Sequence, residues 1–130
     1  MGKLKHINPP GTEAIYNSYK FSQAVVANGR VEVAGQVGLA PDLSVPDDVA
    51  EQARYAFTNL KNVLEAAGSS CERVLHLTQY FTDIRDAAAV DKVFTEFFPE
   101  NYPARTVVQV ASLVLPALKL EIQASASVDE

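Results

Sequence analysis

Asp47-Asp48-Val49-Ala50-Glu51-Gln52-Ala53-Arg54-Tyr55-Ala56-Phe57-Thr58-Asn59-Leu60-Lys61-Asn62-Val63-Leu64-Glu65-Ala66-Ala67-Gly68 is the stretch on which the architecture turns. Its apolar residues fall at Val49, Ala53, Ala56/Phe57, Leu60, Val63/Leu64 and Ala67, in steps of three and four that line one side of a helix. Asp47 and Asp48 stand where a helix start wants a capping oxygen and negative charge. Gly68 stands where the chain must leave the helix. A helix with one apolar face has to bury it against another layer, and the flanking sequence supplies strands.

Upstream, Ser22–Ala27 and Arg30–Gln36 read as a hairpin joined by Asn28-Gly29, the pair that best tolerates the positive φ of a type I′ turn. Val31 and Val33 share a face of the second strand, and Gly35 ends it where a side chain is unwelcome. Pro41–Pro46 reads as a loop. Downstream, Arg73–Thr82 alternates Leu75, Leu77 and Phe81 against His76, Thr78 and Tyr80. Asp86 is predicted to cap a second helix with apolar rows at Val90, Val93/Phe94 and Phe97/Phe98. Pro99 and Pro103 bracket a non-helical loop. Two closing strands are expected over Arg105–Leu113 and Ala117–Ser127. The order is ββαβαββ: an α+β fold in one domain over residues 1–130, with both helices on one face of one mixed sheet.

Hydrophobic residues make up 48% and charged residues 21%, a globular composition that disordered chains do not reach. Eleven Lys and Arg against sixteen Asp and Glu leave a net charge of −5, without a basic stripe to neutralise phosphates. Neither nucleic acid nor an anionic membrane surface is therefore expected as a partner. The longest uncharged run, Thr106–Leu118, is too short to span a bilayer. Lys3, Lys5 and His6 are not followed by an apolar stretch, so no signal peptide is read. A single cysteine, Cys71, fits a reducing cytoplasm. His6 and His76 have no ligand partners at metal-binding spacing, and no metal is expected.

The valine-rich strand bears on assembly. Val107, Ala111 and Leu113 point one way and Val108 and Val110 the other, yet two helices cover only one face. A second subunit is the economical cover, a partly exposed valine face the plainer one.

No Gly-rich phosphate loop, G-x-S-x-G elbow, cysteine pair or metal box is present. What remains is charge in apolar company. Arg105 opens the valine-rich strand, either as an ordinary surface arginine or as a fixed fork for a carboxylate. Alternation in the last strand puts Lys119, Glu121, Gln123 and Ser125 on one face and Leu118, Leu120, Ile122 and Ala124 on the other. That polar face is either simply solvated or, if it neighbours the Arg105 strand, the place where a base and an anion clamp meet. His76 reads as a hydrogen-bonded structural residue, Cys71 as a structural thiol, and Asp91 as an outward charge on the second helix. Tyr16 and Tyr19 either border a pocket or pack.

Taken together, Phe21-Ser22-Gln23-Ala24-Val25, Gly35-Gln36-Val37-Gly38, Glu51-Gln52-Ala53 with Asn59-Leu60, Ala66-Ala67-Gly68, Pro103-Ala104-Arg105-Thr106, Val110-Ala111 and Leu120-Glu121-Ile122 resemble, in order and spacing, the RidA/YjgF family of enamine/imine deaminases. The resemblance spans nearly the whole chain. It implies a chorismate-mutase-like fold, a homotrimer with a central barrel of sheets, and clefts between subunits. It further implies that Arg105 binds a substrate carboxylate, and that Glu121 and the Val107 carbonyl hold the attacking water. The implied reaction is hydrolysis of 2-aminoacrylate or another 2-imino acid to a 2-oxo acid and ammonia, with no cofactor.

The chain departs from imine-hydrolysing members at four positions. They carry tyrosine where it has Phe21, serine where it has Ala34, asparagine where it has Asp91, and cysteine where it has Val107. With Gly35, the residues Phe21, Asp91 and Val107 are the expected substrate-binding positions. An ionised Asp91 would repel an anionic substrate unless protonated or paired. These departures also support another reading, a non-catalytic trimer that binds small carboxylates or 2-oxo acids for sensing or regulation.

Overall fold

The computed structural model describes residues 3–129. In chain order they form β1 (Lys5–Ile7), α1 (Glu13–Tyr19), β2 (Ala24–Ala27), β3 (Arg30–Val37), α2 (Val49–Ala66), β4 (Val74–Phe81), α3 (Ala87–Phe97), β5 (Ala104–Gln109) and β6 (Leu120–Ser127). Short 3-10 turns precede β4 and α3. The strands make one sheet of order β1-β2-β3-β6-β4-β5. Its pairs are antiparallel except β4–β5, which is parallel and therefore needs the crossover that α3 supplies.

The α+β class and the mixed sheet agree with the sequence reading, but the order βαββαβαββ corrects the expected ββαβαββ. The added pieces are β1 and α1. Only Ile7 of β1 is buried, and α1 buries no residue at all, so neither carries an apolar period to read.

The α2 helix forms as its pattern dictates. Asp48 accepts a hydrogen bond from the Glu51 amide at 3.1 Å, and Ala53, Ala56, Phe57, Leu60, Val63 and Leu64 are buried. Gly68 follows with φ of 85°, and the Asn28-Gly29 turn has φ of 52° and 75°. The expected Asp86 cap is corrected. Its side chain makes no capping bond, and Asp83 instead accepts from the Arg85 amide one turn earlier.

Helices α2 and α3 cover the sheet face that carries Val31, Val33, Leu77, Leu120 and Ile122. Between them lies an aromatic cluster in which Phe94 stacks on Phe98 at 4.7 Å and meets Phe57 edge-on at 6.0 Å. Leu75, expected on this face, is exposed because the β4–β6 register slips between Val74 and His76. Leu77 and Phe81 are buried as expected.

Gln52 is fully buried on α2 and ties down two loops. It donates to the carbonyls of Pro46 (2.8 Å) and Ala117 (2.9 Å) and accepts from the Lys119 amide (2.8 Å). All three bonds are internal, which a buried amide requires.

The opposite face of the sheet carries His76, Thr78, Tyr80, Thr106, Val108, Glu121 and Gln123, and no helix described here packs on it. His76 behaves structurally, sharing hydrogen bonds with Thr106 (3.0 Å) and Thr78 (3.4 Å). Strand β5 stops at Gln109, earlier than the expected Leu113. Ala111 and Leu113 therefore leave the ladder, while Val107 and Val108 stay in it on opposite faces, 40% and 37% exposed.

Candidate active site

The residues singled out from sequence gather in two groups. The first surrounds Glu121. The β3–β6 register shifts between Val33 and Gln36, so Ala34 and Gly35 form an irregularity facing β6. Bulges of this kind commonly re-aim side chains at functional sites. Gln36 pins the irregularity by donating to the Gln23 side chain (2.9 Å) and to the Ala34 carbonyl (3.1 Å). The Glu121 carboxyl lies over Gly35, where a Cβ would come within 2.6 Å of the carboxyl carbon. The unwelcome side chain read at Gly35 thus has a named neighbour.

Glu121 borders a cavity of about 680 Å³ whose wall includes Tyr19, Phe21, Ala34, Gly35, Leu43 and Leu115. Tyr19 and Phe21 therefore border a pocket. Glu121 makes no ion pair among the described residues, and burial pushes its carboxyl above the ordinary 4.5. It is a half-buried acid whose proton is held more tightly than in water.

The second group surrounds Arg105. Its Nε and Nη2 donate to Gln79 Oε1 at 3.0 and 2.6 Å, and Nη2 also donates to Asp91 Oδ1 at 2.7 Å. The guanidinium carbon sits 3.9 Å from the centre of the Phe94 ring, a cation–π contact. The fork is thus held by a glutamine, a carboxylate and an aromatic face. The Asp91 charge, read as an outward one, is paired.

Gln79 was not singled out from sequence, yet it is fully buried and orients Arg105. Giving its oxygen to the guanidinium leaves its own Nε2 without a partner. A polar residue sharing the parity of buried Leu77 and Phe81 was the available signal. Cys71 is half-buried, and burial pushes its thiol pKa up, against a nucleophilic role.

A single chain does not bring the two groups together. Arg105 pairs with Leu77 and Val107 with Gln79, on the helix-covered face, whereas Glu121 pairs with Tyr80 on the other. Strand β4 stands between β5 and β6. The expected adjacency of Arg105 and Glu121 within one polar face is therefore corrected, because strand parity sends them to opposite sides.

Residues 11–128 match the sequence profile of the family described as Endoribonuclease L-PSP. The fold superposes on RidA from an Antarctic Psychrobacter with a TM-score of 0.79 and 35% identity, covering 83% of this chain and 88% of that one. The chain belongs to the RidA/YjgF family. Among relatives of this RidA/YjgF chain, the rat 2-iminobutanoate/2-iminopropanoate deaminase is 38% identical over 108 residues, covering 82% of this chain and 78% of the relative. The mitochondrial protein mmf1 of Schizosaccharomyces pombe is 32% identical over 123 residues, covering 93% and 76%. Relatives named as imine deaminases support that chemistry at the level of the family. Among the described residues, no helix is long and apolar enough to cross a membrane.

Proposed function

We propose that this protein hydrolyses reactive 2-imino acids, formed from enamines such as 2-aminoacrylate, to 2-oxo acids and ammonia. The observation that carries the reading is the Glu121 carboxyl: half-buried, without an ion-pair partner among the described residues, raised by burial and facing a cavity. A half-buried carboxyl whose pKa burial raises can take a proton from water and return it to nitrogen. Water adds to the C=N carbon as Glu121 accepts its proton. The proton passes to nitrogen, and the carbinolamine collapses to C=O as its hydroxyl proton passes through Glu121 to the departing ammonia. The Val107 carbonyl holds the same water, and Arg105 fixes the substrate carboxylate. Phe21 and Gly35 shape the wall. The C=N carbon is already electrophilic, so positioning and proton transfer suffice without a cofactor.

In this reading the cleft lies between copies, with Arg105 of one subunit facing Glu121 of the next in a homotrimer of chorismate-mutase-like form around a central barrel. The opposite-face placement of the two residues and the exposed edge strand β5 support it. The lone Cys71 fits a reducing compartment, the cytoplasm in our reading, although one relative is named mitochondrial. A net charge of −5 offers RNA no attractive field, so the proposal does not extend to ribonuclease action.

Ammonia release from freshly generated 2-imino acids tests the proposal. Arg105→Ala is expected to abolish turnover while sedimentation shows the same oligomer, and unchanged turnover would overturn it. Mixing Arg105→Ala with Glu121→Gln subunits should recover activity that neither has alone; no recovery refutes the shared cleft. A non-catalytic carboxylate-binding role is the second reading. The neutral apolar side chains at Phe21, Ala34 and Val107, where imine-hydrolysing members carry polar ones, favour it.

A further inference from the structure

The Arg105 fork is only partly open. Its Nε and Nη2 are taken by Gln79 and Asp91, and Phe94 lies against its face, so Nη1 remains without a protein partner among the described residues. Asp91 uses Oδ1 for Arg105, and its Oδ2 likewise has no partner there. Asp91 is half-exposed, so that oxygen can be reached by a ligand. A donor and an acceptor without protein partners therefore belong to one ion pair whose charges cancel.

A lone carboxylate docking on Nη1 gains the guanidinium but meets the Asp91 charge close by, and the two effects largely offset. A ligand carrying a protonated nitrogen on the carbon next to its carboxylate complements both groups. We propose that Asp91 is a cation-accepting subsite which makes this cleft select zwitterions, the iminium form of a 2-imino acid or an α-amino acid, over simple 2-oxo acids. The inference rests on the deaminase reading and deepens it. The substrate iminium has the nitrogen that Asp91 would hold, and the 2-oxo acid product lacks it. Asp91 thus favours substrate entry and product departure, at a position where imine-hydrolysing members carry a neutral asparagine.

Calorimetry on the intact assembly tests this with two stable probes, L-2-aminobutanoate and 2-oxobutanoate, against wild type and Asp91→Asn. Wild type is expected to bind the amino acid at least tenfold more tightly than the oxo acid. In Asp91→Asn that order should reverse, with 2-oxobutanoate gaining about tenfold and the amino acid losing a similar factor. An unchanged ratio in Asp91→Asn, or a wild-type preference for the oxo acid, overturns the subsite. Imine turnover measured on the same preparations separates the two ideas. Turnover with an unchanged ratio removes the subsite alone. A reversed ratio without turnover removes the deaminase reading and leaves a zwitterion site. Binding of neither probe by wild type overturns the subsite, and absent turnover would remove the deaminase reading with it.

Discussion

Replacing Gly35 by alanine should separate catalysis from stability. Gly35 is not among the residues with positive φ, so its backbone accepts alanine without strain. The added methyl would lie 2.6 Å from the Glu121 carboxyl carbon and 3.0 Å from its Cγ. Carbon atoms prefer roughly 3.5 Å and the Glu121 Oε2 stands closer still, so the carboxyl must retreat by about 1 Å or more. Everything it strikes is the far end of one flexible side chain, and the sheet need not move. Loss of a glycine also removes freedom from the unfolded chain, worth about 0.4–1 kcal/mol, so the melting temperature should stay within about 4 °C of wild type. A misplacement approaching 1 Å at a reacting group costs on the order of 100-fold in rate. Ammonia release and thermal unfolding, measured on the same sample, check both halves. Wild-type turnover would refute the role of the Glu121 position, and a collapsed melting temperature would refute the claim that only one side chain gives way.

Glu121→Gln should cut turnover by about 100-fold while stabilising the fold, as expected where burial disfavours a charge. The sign follows from the raised carboxyl: the folded state holds its proton above pH 4.5, where the unfolded chain has released it. Wild type therefore loses stability relative to the variant as pH rises from 4.5 through the folded value, and the gap persists at pH 7. Denaturant unfolding between pH 4 and 8 checks this, and a gap largest in acid would refute it. Gly38→Ala should behave oppositely to Gly35→Ala, because its Cβ would fall 2.6 Å from the Gln52 Cα, in the backbone of α2. With no side chain able to swing away, overpacking should cost about 2 kcal/mol and lower the melting temperature by roughly 8 °C, as calorimetry would show.

These contrasts indicate which parts of the molecule can be read from its sequence. Helix α2 was legible because six of its seven buried side chains are apolar and follow one period between a real cap and a real terminator. The β2–β3 hairpin was legible because Asn28-Gly29 solves a local backbone problem. Helix α1 escaped because it buries nothing, and burial is what leaves a pattern. Strand β5 was read too long because Val110, Ala111 and Leu113 continue its apolar run after the ladder has ended. At the site, Glu121 and Arg105 stood out as charges in apolar company. Their separation did not, since it depends on β4 inserting between β5 and β6. Gln79 gave only a parity hint, because the arginine that donates to its oxygen is 26 residues away in sequence.

The buried Gln52 bears on how the pocket can change over generations. Its three bonds fasten the segments around Pro46 and Ala117–Lys119 to the helix at the centre of the core. Exchange of the Lys119 amide with solvent should consequently track opening of the whole domain rather than local breathing. Heritable drift at those anchor points would be paid in folding. Leu43 and Val114, which line the cavity beside Glu121 and are 57% and 67% exposed, carry no such tie. Mutation can reshape the ligand's surroundings there while the domain stays folded, so divergence in substrate preference has its open ground at the two loop tips.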